Sequence, residues 1–208
     1  MTVLYLIRHG LTASNSAGVF QGRRDMPLSE RGAEQARLLG RRFAGVPLDA
    51  LYCSALSRAR QTAEEIAQHT GLEPVPLEGL NEIDMGEMAG HTIEECKLLY
   101  PAAAAALEEN PAEFSAPGGE SARQVYARAV RTIEALAAQK PGKTLAAVSH
   151  GFVIQAFLNY IETLSPEPRG LKRFIVGNTA VNKLIFEPQR PPRAEYVNDQ
   201  SHLPPEWR

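Results

Sequence analysis

Two apolar runs in this 208-residue chain end on the same pair of residues. The run from Val3 to Ile7 stops at Arg8, His9 and Gly10, and the run that begins at Thr144 stops at Ser149, His150 and Gly151. An imidazole can attack an electrophile or carry a proton near neutral pH, and the glycine after it lets the chain turn sharply beside a ligand. A single histidine at a strand end is ordinary structure; two at equivalent positions, one preceded by an arginine, point to a site. Arg58 adds to this. It falls in the first turn of a candidate helix, where free N–H groups already favour an anion and a guanidinium matches phosphate oxygens. Arg60 is the competing cation, but two residues on it points away from Arg58. Cleaving a phosphate ester also needs a proton for the departing alkoxide. Glu82 can supply it, with Asp84 and Glu87 as alternatives on sequence alone.

Such residues need a scaffold that brings distant strand ends together. The aliphatic runs at 3–7 and 144–148 suit strands buried on both faces of a parallel sheet. "LSERGAEQARLLGRRF" predicts a helix capped by Ser29, with Ala33, Ala36, Leu39 and Phe43 at helical spacing. "LDALYCS" (48–54) predicts a short strand, and the following segment a helix with Ser54 as its cap and Gly71 past its end. After a short extended piece at 74–80, residues 91–140 read as mostly helical. Ser121 and Gln124 form a capping box there, and Val125, Ala129, Ile133 and Leu136 share one face. "FVIQAFLNYI" predicts a helix, and "LKRFIVGNTAVNKLIFE" two strands about a turn at Gly177–Asn178. The expected architecture is a three-layer α/β/α sandwich with a mostly parallel sheet, in one domain over residues 1–187. A helical insertion at about 85–140 should lie over the C-terminal edge of the strands, where ligands bind in such sheets. Residues 188–208 are Pro-rich and polar and predict an extended tail without its own core.

The bulk composition narrows the function classes. A net charge of −2 argues against a general nucleic-acid binder, which carries a basic face, but allows one local anion site. Cys53 and Cys96 are too few for a disulfide scaffold or a structural zinc site and read as reduced thiols. The N-terminal apolar run is shorter than a signal h-region, and no segment approaches the roughly 20 apolar residues of a membrane span. The expectation is a soluble, cytoplasmic protein with no membrane partner.

In order along the chain stand "LIRHGLTASN", "FQGRRDMPLSERGAEQA", "LYCSALSRARQTAE", "LNEIDMGEMAG", "PGGES" and "VSHG". By these motifs the sequence resembles the histidine phosphatase superfamily, in its phosphoglycerate-mutase-like branch, over roughly residues 3–182. The resemblance implies that His9 takes the phosphoryl group, that Arg8, Arg58 and His150 hold its oxygens, and that Glu82 donates the proton. It places Asn15, Gln21 and Gly22 in the loop that frames substrate, with Gly151, Asn178 and Thr179 beside the phosphate. It implies no cofactor and no metal, and the scattered histidines and acids show no ligand spacing such as HExxH. The expected partner is a small phosphorylated substrate, not nucleic acid or a membrane; a homodimer is compatible with the sequence.

The expected activity is that of a metal-independent phosphomonoesterase working through a phosphohistidine. The alternatives are a 2,3-bisphosphoglycerate-dependent phosphoglycerate mutase and a non-catalytic member that binds phospho-ligands. A mutase needs extra cations over the phosphoenzyme, but Ile83–Glu120 holds one lysine (Lys97), no arginine and eight acids. Arg23 and Arg24 are the counter-evidence, as a second anion clamp. Met85, Met88, His91, Tyr100 and Phe114 predict a partly apolar cover that chooses the substrate. Two other motifs fail. "GKT" at 142–144 lacks the P-loop's first glycine, having Ala137 there, and "AVSHG" as a serine elbow would leave Arg8, His9 and Arg58 unexplained.

Overall fold

The computed structural model describes residues 1–168 and 176–208. Its centre is β1 (Thr2–Arg8), flanked by β4 (Thr144–Ser149) and β5 (Val181–Phe186). Beyond β4 lie β2 (Ala50–Cys53) and β3 (Pro74–Pro76), and beyond β5 lies β6 (Arg193–Asp199), giving the order β3-β2-β4-β1-β5-β6. The first four strands run parallel; β5 is antiparallel to β1, and β6 to β5. The aliphatic runs are buried on both faces, as parallel strands require. Leu4 and Leu6 pack with α6 (Ala122–Gln139) and α7 (Gly151–Thr163), while Ile7 packs with α2 (Glu30–Phe43) and α3 (Ser57–Thr70). The result is the expected three-layer sandwich. The insertion adds α4 (Ile93–Leu99) and α5 (Pro101–Glu109), and a single short turn, α1 (Ala13–Ser16), follows β1.

Local chemistry sets most boundaries as read. The Ser29 side chain accepts from Gly32 N–H at the start of α2, Ser121 and Gln124 form the capping box of α6, and Gly71 ends α3 at φ 69°. Ser54 differs. The N-cap of α3 is Leu56, with no side-chain cap; the Ser54 hydroxyl accepts from Leu56 N–H at 3.2 Å, ahead of the helix, and also bonds Asn81 and His150. The 188–208 segment also departs from expectation. Arg193–Asp199 is the edge strand β6, and Leu203 beyond it is buried. Its side chains alternate between exposed and half-buried, so no apolar pattern announces it; backbone pairing and an ion pair from Arg42 to Asp199 at 2.6 Å fix it. The first of the two strands expected around Gly177–Asn178 falls mainly outside the described residues.

The register sets up the site. Arg8 pairs with Ser149, so His9 and His150 leave the sheet side by side, with His9 N–H donating to the Ser149 carbonyl at 3.0 Å. Gly32 packs the start of α2 onto the loop that follows. A Cβ there would stand 1.9 Å from the Leu11 carbonyl oxygen. Gly32→Ala is therefore expected to lower stability by about 1–3 kcal/mol, the usual cost of overpacking, read as a lower urea midpoint at unchanged slope.

Candidate active site

A cavity of about 200 Å³ opens at the C-terminal ends of β1 and β4. Arg8, His9, Arg58, Glu82, Asn15, Gln21, Gly22 and Gly151 line it. His150 is fully buried beside His9, their ring centroids 5.0 Å apart. The structure thus brings together residues from six separate stretches of sequence. Arg60 is exposed, as the helical spacing predicts.

The polar groups are held by backbone groups or, for His150, a neutral hydroxyl, rather than by a neutralising partner. His9 Nδ1 lies 2.7 Å from the Gly10 carbonyl. Only a protonated Nδ1 can bond there, so neutral His9 presents the lone pair of Nε2. Burial, then the charges of Arg8 and Arg58, hold the His9 pKa well below the ordinary histidine value. His150 Nε2 lies 2.7 Å from Ser54 Oγ, and Ser54 in turn donates to Asn81 Oδ1 at 2.8 Å. Ser54 must therefore accept from Nε2–H, which leaves the lone pair on His150 Nδ1. Burial and the nearby cations push the pKa of His150 well down too.

The arginines are aimed in the same way. Arg8 donates one terminal nitrogen to the Val176 carbonyl at 2.5 Å, and Arg58 donates to the carbonyls of Gly22 (2.8 Å) and Arg24 (3.0 Å). The Nε of each has no partner, nor has His150 Nδ1 or Gln21 Oε1. Buried polar groups are normally paired. Beside the cavity, the two arginine Nε–H groups can donate to the oxygens of an anion, and the His150 lone pair can accept from a protonated oxygen.

Glu82 is the carboxyl of the three candidates that lines the cavity. Its oxygens accept from Ile83 N–H (3.0 Å) and from Phe152 N–H at the start of α7 (3.5 Å). Burial raises its pKa, outweighing those bonds and the two arginines, so its proton is retained at higher pH than usual. Asp84 instead caps Gly86 N–H. The backbone around Glu82 is clamped by Arg128, which donates to the carbonyls of Gly79 (3.0 Å), Asn81 (2.6 Å) and Glu82 (3.4 Å). Glu120 of "PGGES" holds Arg128 at 3.0 Å and accepts from Asp84 N–H at 3.0 Å. That explains the motif: it fixes the loop that carries the acid.

Other expectations need correction. Asn178 and Thr179 stand behind the cavity rather than in it: the Asn178 side chain and the Thr179 N–H both bond the His9 carbonyl. Of the expected cover, only Met85 reaches the cavity. Met88 and Phe114 are fully buried core, and His91 packs edge-on against Tyr100. Their apolar character served packing, which sequence alone does not distinguish from a lid. The rest of the apolar lining comes from Val19, Phe20, Ile83, Phe152 and Val176, with Gln155 beside them. Phe152 and Gln155 had a readable signal: three residues apart on the helix opened by Gly151, they share its face. Arg23 bridges to Glu120 at 3.1 Å, and neither it nor Arg24 lines the cavity. Ser149, the nucleophile of the rejected elbow, is buried and donates to the Leu80 carbonyl. Among the described residues no group of three or more His, Cys, Asp or Glu could hold a metal ion, and no helix is long and apolar enough to cross a membrane.

Comparison with known proteins identifies the family. The family model described as histidine phosphatase superfamily (branch 1) matches residues 4–200. Phosphoserine phosphatase 1 of Hydrogenobacter thermophilus is 36% identical over 190 residues, 91% of this chain and 89% of that protein. A 2,3-bisphosphoglycerate-dependent phosphoglycerate mutase of Azorhizobium caulinodans is 31% identical over 172 residues, 79% of this chain and 84% of the relative. Among solved structures, YhfR of Bacillus stearothermophilus superposes with a TM-score of 0.89 at 28% identity, covering 97% of this chain and 99% of that one.

Proposed function

The chain belongs to the histidine phosphatase superfamily, and from that premise we propose that it hydrolyses small phosphomonoesters through a phosphoryl group carried on His9 Nε2. The observation that carries the reading is the set of unpartnered nitrogens, Arg8 Nε, Arg58 Nε and His150 Nδ1, gathered around a cavity that also holds His9 and Glu82.

In the first step the His9 lone pair attacks phosphorus while the ester oxygen leaves with the proton of Glu82. In the second, water attacks the phosphohistidine, the Glu82 carboxylate takes its proton, and inorganic phosphate departs with His9 restored. Splitting one displacement into two is the gain of covalent catalysis. Arg8 and Arg58 neutralise the equatorial oxygens, so catalysis is mostly positioning and electrostatics. A phosphate monoester has a second pKa of about 6, and its proton bridges a phosphoryl oxygen and His150 Nδ1. The mechanism calls on no metal and no cofactor.

A mutase shares the first step and differs in what meets the phosphoenzyme. The likeness to the Azorhizobium mutase favours that second reading. Against it, Arg8 and Arg58 are the cations lining the cavity among the described residues, and both serve the phosphoryl end, while Arg23 is engaged by Glu120. The test supplies 3-phosphoglycerate with catalytic 2,3-bisphosphoglycerate and follows 2-phosphoglycerate and free phosphate together, beside a panel of neutral alkyl phosphates. Phosphate release is expected to exceed isomerisation. Isomerisation much faster than release would make the chain a mutase, and neither reaction on any ester would make it a binding protein.

A further inference from the structure

The chain from Asn198 to His202 was expected to be loose tail, yet it packs directly behind the site. We propose that Gln200 and His202 are positioning residues, which hold the turn Val176–Thr179 against the backbone of His9 and so aim its ring. This rests on the reading of His9 as the attacking group.

The turn has two sides. On the cavity side it touches three lining residues. The Val176 carbonyl accepts from Arg8, and Asn178 Nδ2 donates to the His9 carbonyl at 3.1 Å and lies 3.4 Å from Asn15 Oδ1. The Thr179 N–H donates to the same His9 carbonyl at 3.2 Å. On the far side, among the described residues, its side-chain hydrogen bonds come from the C-terminal segment. Asn198 Oδ1 accepts from Gly177 N–H at 2.8 Å, and Gln200 Nε2 donates to the Asn178 carbonyl at 2.9 Å. His202 Nε2 lies 3.1 Å from Thr179 Oγ1. Gln200 also occupies the space a side chain at Gly177 would need, its amide standing 2.4 Å from the position of a Cβ there.

Thr179 shows why the turn needs holding. Its φ is +57°, a left-handed conformation that a β-branched residue avoids. Such a residue persists only where its surroundings over-determine it. Thr179 spends its hydroxyl proton on the Asn178 carbonyl at 2.7 Å, so Oγ1 must accept from His202 Nε2–H. The lone pair of His202 is then on Nδ1, where Arg42 donates to it at 3.4 Å. Arg42 is fixed by Asp199 (2.6 Å) and the Tyr196 hydroxyl (3.1 Å), so the tautomer of His202 is fixed too. Burial and the Arg42 charge keep that ring neutral, its pKa pulled down to about 4. The chain of bonds runs Arg42, His202, Thr179, Asn178, and ends on the carbonyl of His9.

Neither Gln200 nor His202 lines the cavity, so both act on the geometry of attack and not on binding. Small misplacements of a reacting group cost rate steeply. The test uses full-length His202→Gln and His202→Asn. A glutamine amide nitrogen reaches where Nε2 stood and can donate to Thr179; an asparagine amide stops near the Nδ1 position. Single-turnover phosphorylation of His9 by p-nitrophenyl phosphate is expected to slow about tenfold in His202→Asn and to stay within about threefold of wild type in His202→Gln. KM should be unchanged in both and the thermal midpoints equal. Gln200→Met, which keeps the volume over Gly177 but loses the bond to Asn178, should show the same tenfold loss at unchanged KM. Equal rates in the Asn and Gln variants, or a wild-type rate in Gln200→Met, would overturn the proposal while leaving the His9 reading intact. Absence of phosphoryl label on His9 in the wild-type protein would overturn both.

Discussion

Replacing His9 with alanine is expected to reduce turnover of every phosphomonoester by on the order of 10⁴-fold or more, the scale seen when a covalent nucleophile is removed. The ring is the group in the cavity whose lone pair is fixed by a bond at its other nitrogen, Nδ1 to Gly10. It is also kept neutral by burial and two guanidinium charges. Those charges would help hold a phosphate without His9, so the variant should still bind inorganic phosphate. The measurement is labelling with a ³²P monoester followed by alkaline denaturation, because a phosphoryl bond to nitrogen is lost in acid. Wild type should retain one label per chain and His9→Ala none. Near-normal turnover in His9→Ala would mean that water attacks the ester directly.

Glu82→Gln is expected to discriminate between leaving groups. For an alkyl phosphate the departing oxygen needs a proton, and loss of a general acid costs about 10²–10⁴-fold. For p-nitrophenyl phosphate the leaving group needs almost none, so the first step should change little. The pH profile of kcat/KM carries the same information. His9 must be neutral, and its lowered pKa puts the acid limb below the ordinary histidine value. Glu82 must be protonated, and its raised pKa puts the alkaline limb above the ordinary glutamate value. With an alkyl phosphate, activity should therefore fall as pH rises through the pKa of Glu82, and Glu82→Gln should remove that fall, leaving only the one set by the substrate's own second ionisation. An equal loss on both substrates, with the alkaline limb retained, would assign the proton to another group.

The candidate site was legible because the chemistry proposed for it calls for unusual residues in usual places. Arg8, His9 and His150 follow runs whose aliphatic composition already marks buried strands, and a charged pair at such an end has few structural uses. Arg58 was visible through helix phase, which also turned Arg60 outward. Glu82 was separable from Asp84 and Glu87 only by the resemblance, since three acids within six residues share one composition; the fold decides which one enters the cavity.

What the sequence alone determined is the local part: the strands that β1 and β4 form, the caps at Ser29 and Ser121, the sandwich class, and the His-Gly ends. These follow from side-chain periodicity and backbone propensity, which act over a few residues. The tertiary structure decided what depends on distant segments meeting. It turned Ser54 from a helix cap into the partner of His150, and made Glu120 the anchor of Arg128 under the Glu82 loop. It left Phe114 and Met88 to the core and gave the cavity wall to Phe20 and Phe152. It also converted a polar, Pro-rich terminus into β6 and the brace behind Thr179. An edge strand is held by backbone pairing and a few polar bonds, and neither leaves a hydrophobic period to read.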